Sequence, residues 1–188
     1  MKQLSIVKKK SDQLVFVVQK HAATRLHYDF RLQIGSVMPS WAISKGPTLV
    51  AGVRRLAIRT PDHALSYREF EGTIPKGSYG AGTVMIWDEG KYIPEIKLEK
   101  GKRELIEDNE AAQKVMKQGM KKGELKFTLL GSKLKGSFAL IKTKNFGPKN
   151  SWLLIKHKDK FCKEEYDAND YAVSAVTKRS LAEITQAE

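Results

Sequence analysis

The feature that most constrains this chain is strict alternation of apolar and polar residues over short runs. In HYDFRLQI (27–34), Tyr28, Phe30, Leu32 and Ile34 fall on one side and His27, Asp29, Arg31 and Gln33 on the other. That is the two-residue period of a strand with one buried face. LVFVVQ (14–19), SWAIS (40–44), RRLAIR (54–59) and GTVMIW (82–87) are further strand candidates, as are ELKFTLL (124–130), SFALIKT (137–143) and SWLLIK (151–156). Gly and Pro punctuate them at GP (46–47), TPD (60–62), IPKGSYGAG (74–82), LGSKLKG (130–136) and FGPKN (146–150). Many short strands with frequent turns predict an antiparallel barrel or sandwich. Either architecture would be mainly β, with one or two flanking α-helices.

One helix interrupts the strands. EDNEAAQKVMKQGMKKG (107–123) opens on acidic residues and closes on lysines and Gly123, the order that the helix dipole favours. Ser180 and Glu183 have capping-box spacing and predict a short helix near the C-terminus. Residues 1–163 read as a single domain. Residues 164–188 read as a loosely attached extension that carries the short helix.

Lys and Arg number 34 against 21 Asp and Glu, a formal charge of +13 spread along the chain rather than gathered in a tail. A positive face on a folded domain points first to nucleic acid. Cys162 is the only cysteine, so neither a disulfide framework nor a CxxC metal site is available. No stretch has the apolar length of a membrane span or a secretory signal. The expectation is a cytoplasmic monomer that works away from membranes.

The chain owns four histidines, and two of them, His21 and His27, lie within HAATRLHYDFRLQ (21–33). On a strand, His27, Asp29 and Arg31 project to one side. His21 precedes across AATRL, read as a turn, so strand parity does not place it. Two imidazoles and a carboxylate suit Mn²⁺, Fe²⁺ or Zn²⁺, and Arg31 would lie beside such an ion, able to fork onto an anion. A solvated edge-strand face held by ion pairs is the plainer alternative. In RRLAIRTPDHALSYREFEG (54–72), His63 follows a proline turn and Tyr67 comes four residues later. Arg55 and Arg59 alternate with Leu56 and Ile58 and are expected on a polar face. GSYGAG (77–82) lacks the endings of phosphate-binding loops and reads as a tight turn into a strand. Two rival functions stay open on these residues. One is an iron oxygenase with His27, Asp29 and His63 as its ligands, and the other is a non-catalytic nucleic-acid-binding barrel.

FVVQKHAATRLHYDFRL (16–32), SWAISKGP (40–47), RRLAIRTPDHALSY (54–67), FEGTIPKGSYGAGTVMIWDEG (70–90), KLKGSFALIK (133–142) and SWLLIK (151–156) together carry a resemblance. In order and spacing, they resemble the 3′-phosphoesterase domain of bacterial DNA ligase D and its stand-alone relatives. The resemblance implies a mainly β fold, a compact antiparallel β-barrel with one or two flanking α-helices. The enzyme it implies depends on manganese, with cobalt or zinc as substitutes, and heals 3′ ends of DNA or RNA/DNA during end joining. It removes a terminal ribonucleoside and then the exposed 3′-phosphate, leaving a 3′-hydroxyl for a separately encoded ligase or polymerase. By position it implies His21, His27 and Asp29 as metal ligands and Arg31, His63 and Tyr67 as phosphate contacts. Lys45 and Arg55 match basic positions tied to activity, and Gln19 matches a polar one beside the metal. The chain departs from the family pattern at Pro61, where an acidic residue is common, and in MKQLSIVKKKSD (1–12), which has no Arg-Asp-Phe segment. Both departures bear on ribonucleoside removal more than on phosphate removal.

Overall fold

β1 (Leu14–Ala22) and β2 (Leu26–Leu32) form an antiparallel hairpin that pairs Phe16 with Leu32, Val18 with Phe30 and His21 with His27. The computed structural model describes residues 13–187, and within them each strand continues this antiparallel pattern. β3 (Val37–Ile43) follows β2, and β4 (Arg54–Ala64) follows β3. β5 (Gly72–Ile74) and the long β6 (Gly82–Lys97) come next, with β7 (Arg103–Leu105) paired to the far end of β6. After α1 (Asn109–Lys122), β8 (Glu124–Gly131), β9 (Lys135–Lys142) and β10 (Ser151–Lys156) run back to β4, and α2 (Leu181–Gln186) ends the chain. The path β1-β2-β3-β4-β10-β9-β8-β6 is closed by pairing of β6 with β1, which makes an eight-stranded antiparallel barrel. The expected architecture is the one observed. Closure leaves no unpaired edge among those eight strands.

The alternation sorts side chains between the interior and the outer face. Phe16, Val18, Tyr28, Phe30, Trp41 and Trp87 join one buried cluster with Phe127, Phe138 and Trp152. Each large ring removed from water contributes a few kcal/mol at about 25 cal/mol per Å². Gln19, His21, Asp29 and Arg31 have the opposite parity and belong to the outer face. That face is covered in turn. Val17, Met38 and Ile86 form a second small cluster there under Leu65, which opens a 3₁₀ turn at Leu65–Glu69.

Several boundaries differ from expectation. β1 extends through His21 to Ala22, so the histidine that strand parity left unplaced is a paired strand residue. β6 runs on through Gly90 and Pro94, and β5 and β7 are strands that alternation does not reveal. α1 is capped by the Asp108 side chain, which accepts from the Ala111 amide, and it stops at Gly123 with φ 76°. The C-terminal extension is not loosely attached. Ala168 and Ile184 are buried in the main core. The Trp87 indole donates to the Ala168 and Tyr171 carbonyls, and the Tyr28 hydroxyl donates to Asn169. α2 has the expected reciprocal capping box between Ser180 and Glu183. No helix of the described residues is long and apolar enough to cross a membrane.

Candidate functional site

Hairpin register brings the first group together. His21 lies opposite His27, and Gln19 opposite Asp29, all on the outer face of β1 and β2. The two imidazole centroids are 4.8 Å apart. Asp29 Oδ2 stands 3.6 Å from His21 Nδ1, and Oδ1 stands 3.5 Å from His27 Nε2. These separations are long for hydrogen bonds, yet close to the spacing of ligand atoms around an ion with bonds of about 2.0–2.2 Å. His27 Nδ1 lies 2.9 Å from the Arg25 carbonyl, an acceptor only, so Nδ1 carries a proton and, in the neutral ring, the Nε2 lone pair is the ligand atom on the Asp29 side. His21 Nε2 is buried and has no hydrogen-bond partner. One ligand atom from each of His21, His27 and Asp29 lies within 4.8 Å of the others, so this group could hold a metal ion.

Burial pushes the Asp29 carboxyl up, but the His21 and His27 imidazoles and the Arg31 guanidinium outweigh it and hold it far below the usual carboxylate range. The same Asp29 raises His27. A buried carboxylate kept charged beside two imidazoles is the donor set that a divalent transition metal takes.

Arg31 links this group to a second one. Its Nη2 donates to Asp29 at 3.2 Å, its Nη1 lies 2.9 Å from His63 Nδ1, and its Nε donates to Gln19 Oε1 at 2.7 Å. Its guanidinium lies 5.0 Å over the Tyr67 ring. Gln19 is fully buried, and its amide donates to the Tyr67 and Phe70 carbonyls at 3.0 and 2.9 Å. It therefore ties Arg31 to the covering turn. Burial lowers the His63 pKa, and the Arg31 guanidinium lowers it further.

His63 reaches this position through a bulge. Between Ser40–Thr60 and Met38–His63 the register advances two residues on β3 and three on β4, at Pro61 and Asp62. Without the extra residue, His63 would share the inward parity of Arg59. His63 is thus a strand residue, not the loop residue that TPDH suggests.

Of the residues singled out in the sequence, His21, His27, Asp29, Arg31, His63 and Tyr67 line one cleft of about 670 Å³. Gln19 lies behind them and works through Arg31 rather than at the cleft surface. Lys45 is exposed and outside the cleft lining. Arg55 is outside it as well. Arg55 and Arg59 share parity with buried Ala57 and pair with the core residues Leu154 and Trp41, so their face turns inward while Leu56 and Ile58 turn outward. The expected division of β4 into an arginine face and an aliphatic face is the one observed, with the arginine face turned inward. Nor does the fold build the oxygenase arrangement, since His63 contacts Arg31 and stands outside the metal-competent group. Sequence reasoning missed Phe70, Ile74 and Pro75, which complete the cleft together with Tyr79. The segment MKQLSIVKKKSD lies outside the described residues.

A closed barrel with a metal-competent His-His-Asp group on its outer face, joined to an arginine–histidine pair in one cleft, defines a class of protein suited to an anion beside a divalent ion. Comparison with known proteins narrows that class. Residues 19–142, more than half of the chain, match the family model described as the DNA ligase D 3′-phosphoesterase domain. The chain is 44% identical over 146 residues to the multifunctional non-homologous end joining protein LigD of Pseudomonas aeruginosa, covering 78% of this chain and 15% of that protein. Identity is 37% over 167 residues to the protein of the same name from Mycolicibacterium smegmatis, covering 89% of this chain and 19% of that protein. The multifunctional non-homologous end joining DNA repair protein LigD of Mycobacterium tuberculosis is 35% identical over 167 residues, with the same coverage of 89% and 19%. The chain belongs to the DNA ligase D 3′-phosphoesterase domain family. It spans less than a fifth of the length of these relatives.

Proposed function

We propose that the protein is a manganese-dependent phosphoesterase that removes a 3′-phosphate from DNA or RNA/DNA ends and leaves a 3′-hydroxyl for repair. The observation that carries this reading is the single cleft shared by the His21–His27–Asp29 group and the Arg31–His63 pair. His21, His27 and Asp29 would hold the ion, which would supply Lewis-acid polarisation of the phosphorus when bound. Arg31 is already oriented by Gln19 and Asp29, so its guanidinium meets the phosphoryl oxygens without reorganising as charge builds on them. His63 Nδ1 lies between the Arg31 guanidinium at 2.9 Å and the Pro61 carbonyl at 3.0 Å, which fixes the ring beside Arg31. Water adds in line to phosphorus and the bond from phosphorus to the sugar oxygen breaks. One proton of the water passes by way of His63 to the sugar oxygen, which ends as the hydroxyl, and the other stays on the phosphate. Tyr67, under the guanidinium, orients the phosphate.

The positive surface holds the strand backbone, so binding weakens as salt rises. The proposed setting is end healing in non-homologous end joining, in the cytoplasm and as a monomer, with a ligase or polymerase acting on the hydroxyl produced. The test is the product end, read on a 3′-phosphate oligonucleotide and on one with a single terminal ribonucleotide, with and without Mn²⁺. Manganese-dependent release of phosphate from the first is expected. A shortened product from the second would add ribonucleoside removal to the same site. A 3′-phosphate left intact under every divalent metal tried would refute the assignment.

A further inference from the structure

The cleft is polar where it is deep and apolar where it is open. Asp29, His21 and Arg31 are buried at its floor, whereas Phe70, Ile74, Pro75 and Tyr79 come from the segment that covers the barrel face. A phosphate has no use for the second set. At 87% exposure, Tyr79 is the most exposed of the large hydrophobic side chains among the described residues. Single exposed aromatics are common on surfaces, but this one stands at the mouth of the cleft that holds the metal-competent group.

The loop that carries it has a defined shape. The Ser78 amide donates to the Pro75 carbonyl and the Ala81 amide to the Ser78 carbonyl, each at 3.2 Å. Gly80, at φ +77°, brings the backbone so close that an added Cβ would stand 3.9 Å from His21 Cε1. The residue before it is therefore presented beside the metal-competent group. Tyr67, the other tyrosine of the cleft, is already engaged: the Arg31 guanidinium lies 5.0 Å away, the His63 ring 4.8 Å and the Phe70 ring 5.3 Å. Tyr79 is the aromatic with its ring open to a ligand. What accompanies a terminal 3′-phosphate at that distance is its own nucleoside, whose base offers a π-face of any sequence.

We propose that Tyr79 stacks on the base of the terminal nucleotide, so that the site reads a nucleoside as well as a phosphate. This rests on the phosphoesterase reading above and adds a specificity residue to it. Stacking of a base on an aromatic ring is tolerant of base identity and strong enough to alter binding about tenfold. The ring, not the hydroxyl, carries the effect, so Tyr79→Phe keeps it and Tyr79→Ala loses it.

The experiment uses the full chain and a 3′-phosphorylated oligonucleotide with 2-aminopurine as its terminal base, titrated by fluorescence. The wild type and Tyr79→Phe are expected to quench the probe, and Tyr79→Ala is expected to bind about tenfold more weakly with little quenching. On an oligonucleotide whose terminal nucleotide lacks a base, the three proteins should bind alike. Equal quenching by wild type and Tyr79→Ala would overturn the proposal, as would Tyr79→Phe behaving like Tyr79→Ala. So would equal losses on base-bearing and abasic ends. Phosphate release by the wild type with manganese, measured on the same oligonucleotide, scores the reaction separately from the stacking.

Discussion

Two buried carboxylates, each beside a histidine and an arginine, lie on this barrel and are treated in opposite ways. Around Glu95, on β6, every polar contact is made. Thr128 and Ser137 donate to its two oxygens at 2.6 and 2.9 Å, and Arg103 lies 3.6 Å away. Ser137 in turn accepts from Arg103, and His157 Nδ1 lies 2.8 Å from the same hydroxyl. Beside them, buried Lys156 donates to the Ser137 and His157 carbonyls and to Asp159. Around Asp29 the imidazoles stand off at 3.5 and 3.6 Å, and His21 Nε2 has no partner. Residue types are nearly the same in the two regions. What differs is satisfaction: the Glu95 network is closed and holds β7 to the barrel, while the Asp29 group keeps its donor atoms at spacings that could hold a metal ion.

The largest effect should come from opening the Asp29 group further. His27→Ala is expected to cut manganese-dependent phosphate release by about 100-fold or more, the scale for losing one preorganised group. Manganese is expected to raise the melting temperature of the wild type, a stabilisation of about 2.7 kcal/mol at one hundred times the dissociation constant, and His27→Ala should abolish that rise. Near-normal release by His27→Ala would erase the functional half of the contrast.

Glu95→Gln breaks the closed region instead. It strips Arg103 of its countercharge and turns one acceptor into a donor facing a hydroxyl. The expected cost is about 1–3 kcal/mol of stability, a fall of several degrees in melting temperature for a chain of this size. The rate per folded molecule should stay near wild type. A large rate loss below the melting range would mean that the two regions are coupled.

The smallest effect sharpens the closed region by titration. Burial lowers the His157 pKa, and the positive charges of Arg103, Lys126 and Lys156 lower it further against the pull of Glu95. The unfolded chain then holds the proton more readily between the folded pKa and the ordinary 6.5. This contribution to stability is present above pH 6.5 and drains away as pH falls toward the folded value. His63 acts in the same sense and His27 in the opposite one. Urea melts of His157→Asn should therefore show a shallower acid limb than the wild type. An unchanged limb would place the proton elsewhere.

What was legible locally follows from neighbours in the chain. Alternation from Tyr28 to Leu32 is enough to make a strand and to gather His27, Asp29 and Arg31 on one side, because successive side chains must point to opposite faces. The capping box of Ser180 and Glu183, the glycine stop at 123 and the strands of the barrel wall were readable for the same reason. Where the polar side of each strand faces was not. Parity divides Arg55 and Arg59 from Leu56 and Ile58 without saying which pair looks inward.

The sequence by itself determined an antiparallel fold of short strands and the cluster of ligand-type residues in its first third. Only the tertiary structure decided that His21 stands across from His27, that a bulge at Pro61 and Asp62 swings His63 back beside Arg31, and that Tyr79 is carried over the cleft. Strand identity depends on a period of two residues and survives in any short window. Register, closure and the path of a covering loop depend on contacts between residues tens of positions apart, and no local pattern encodes those distances.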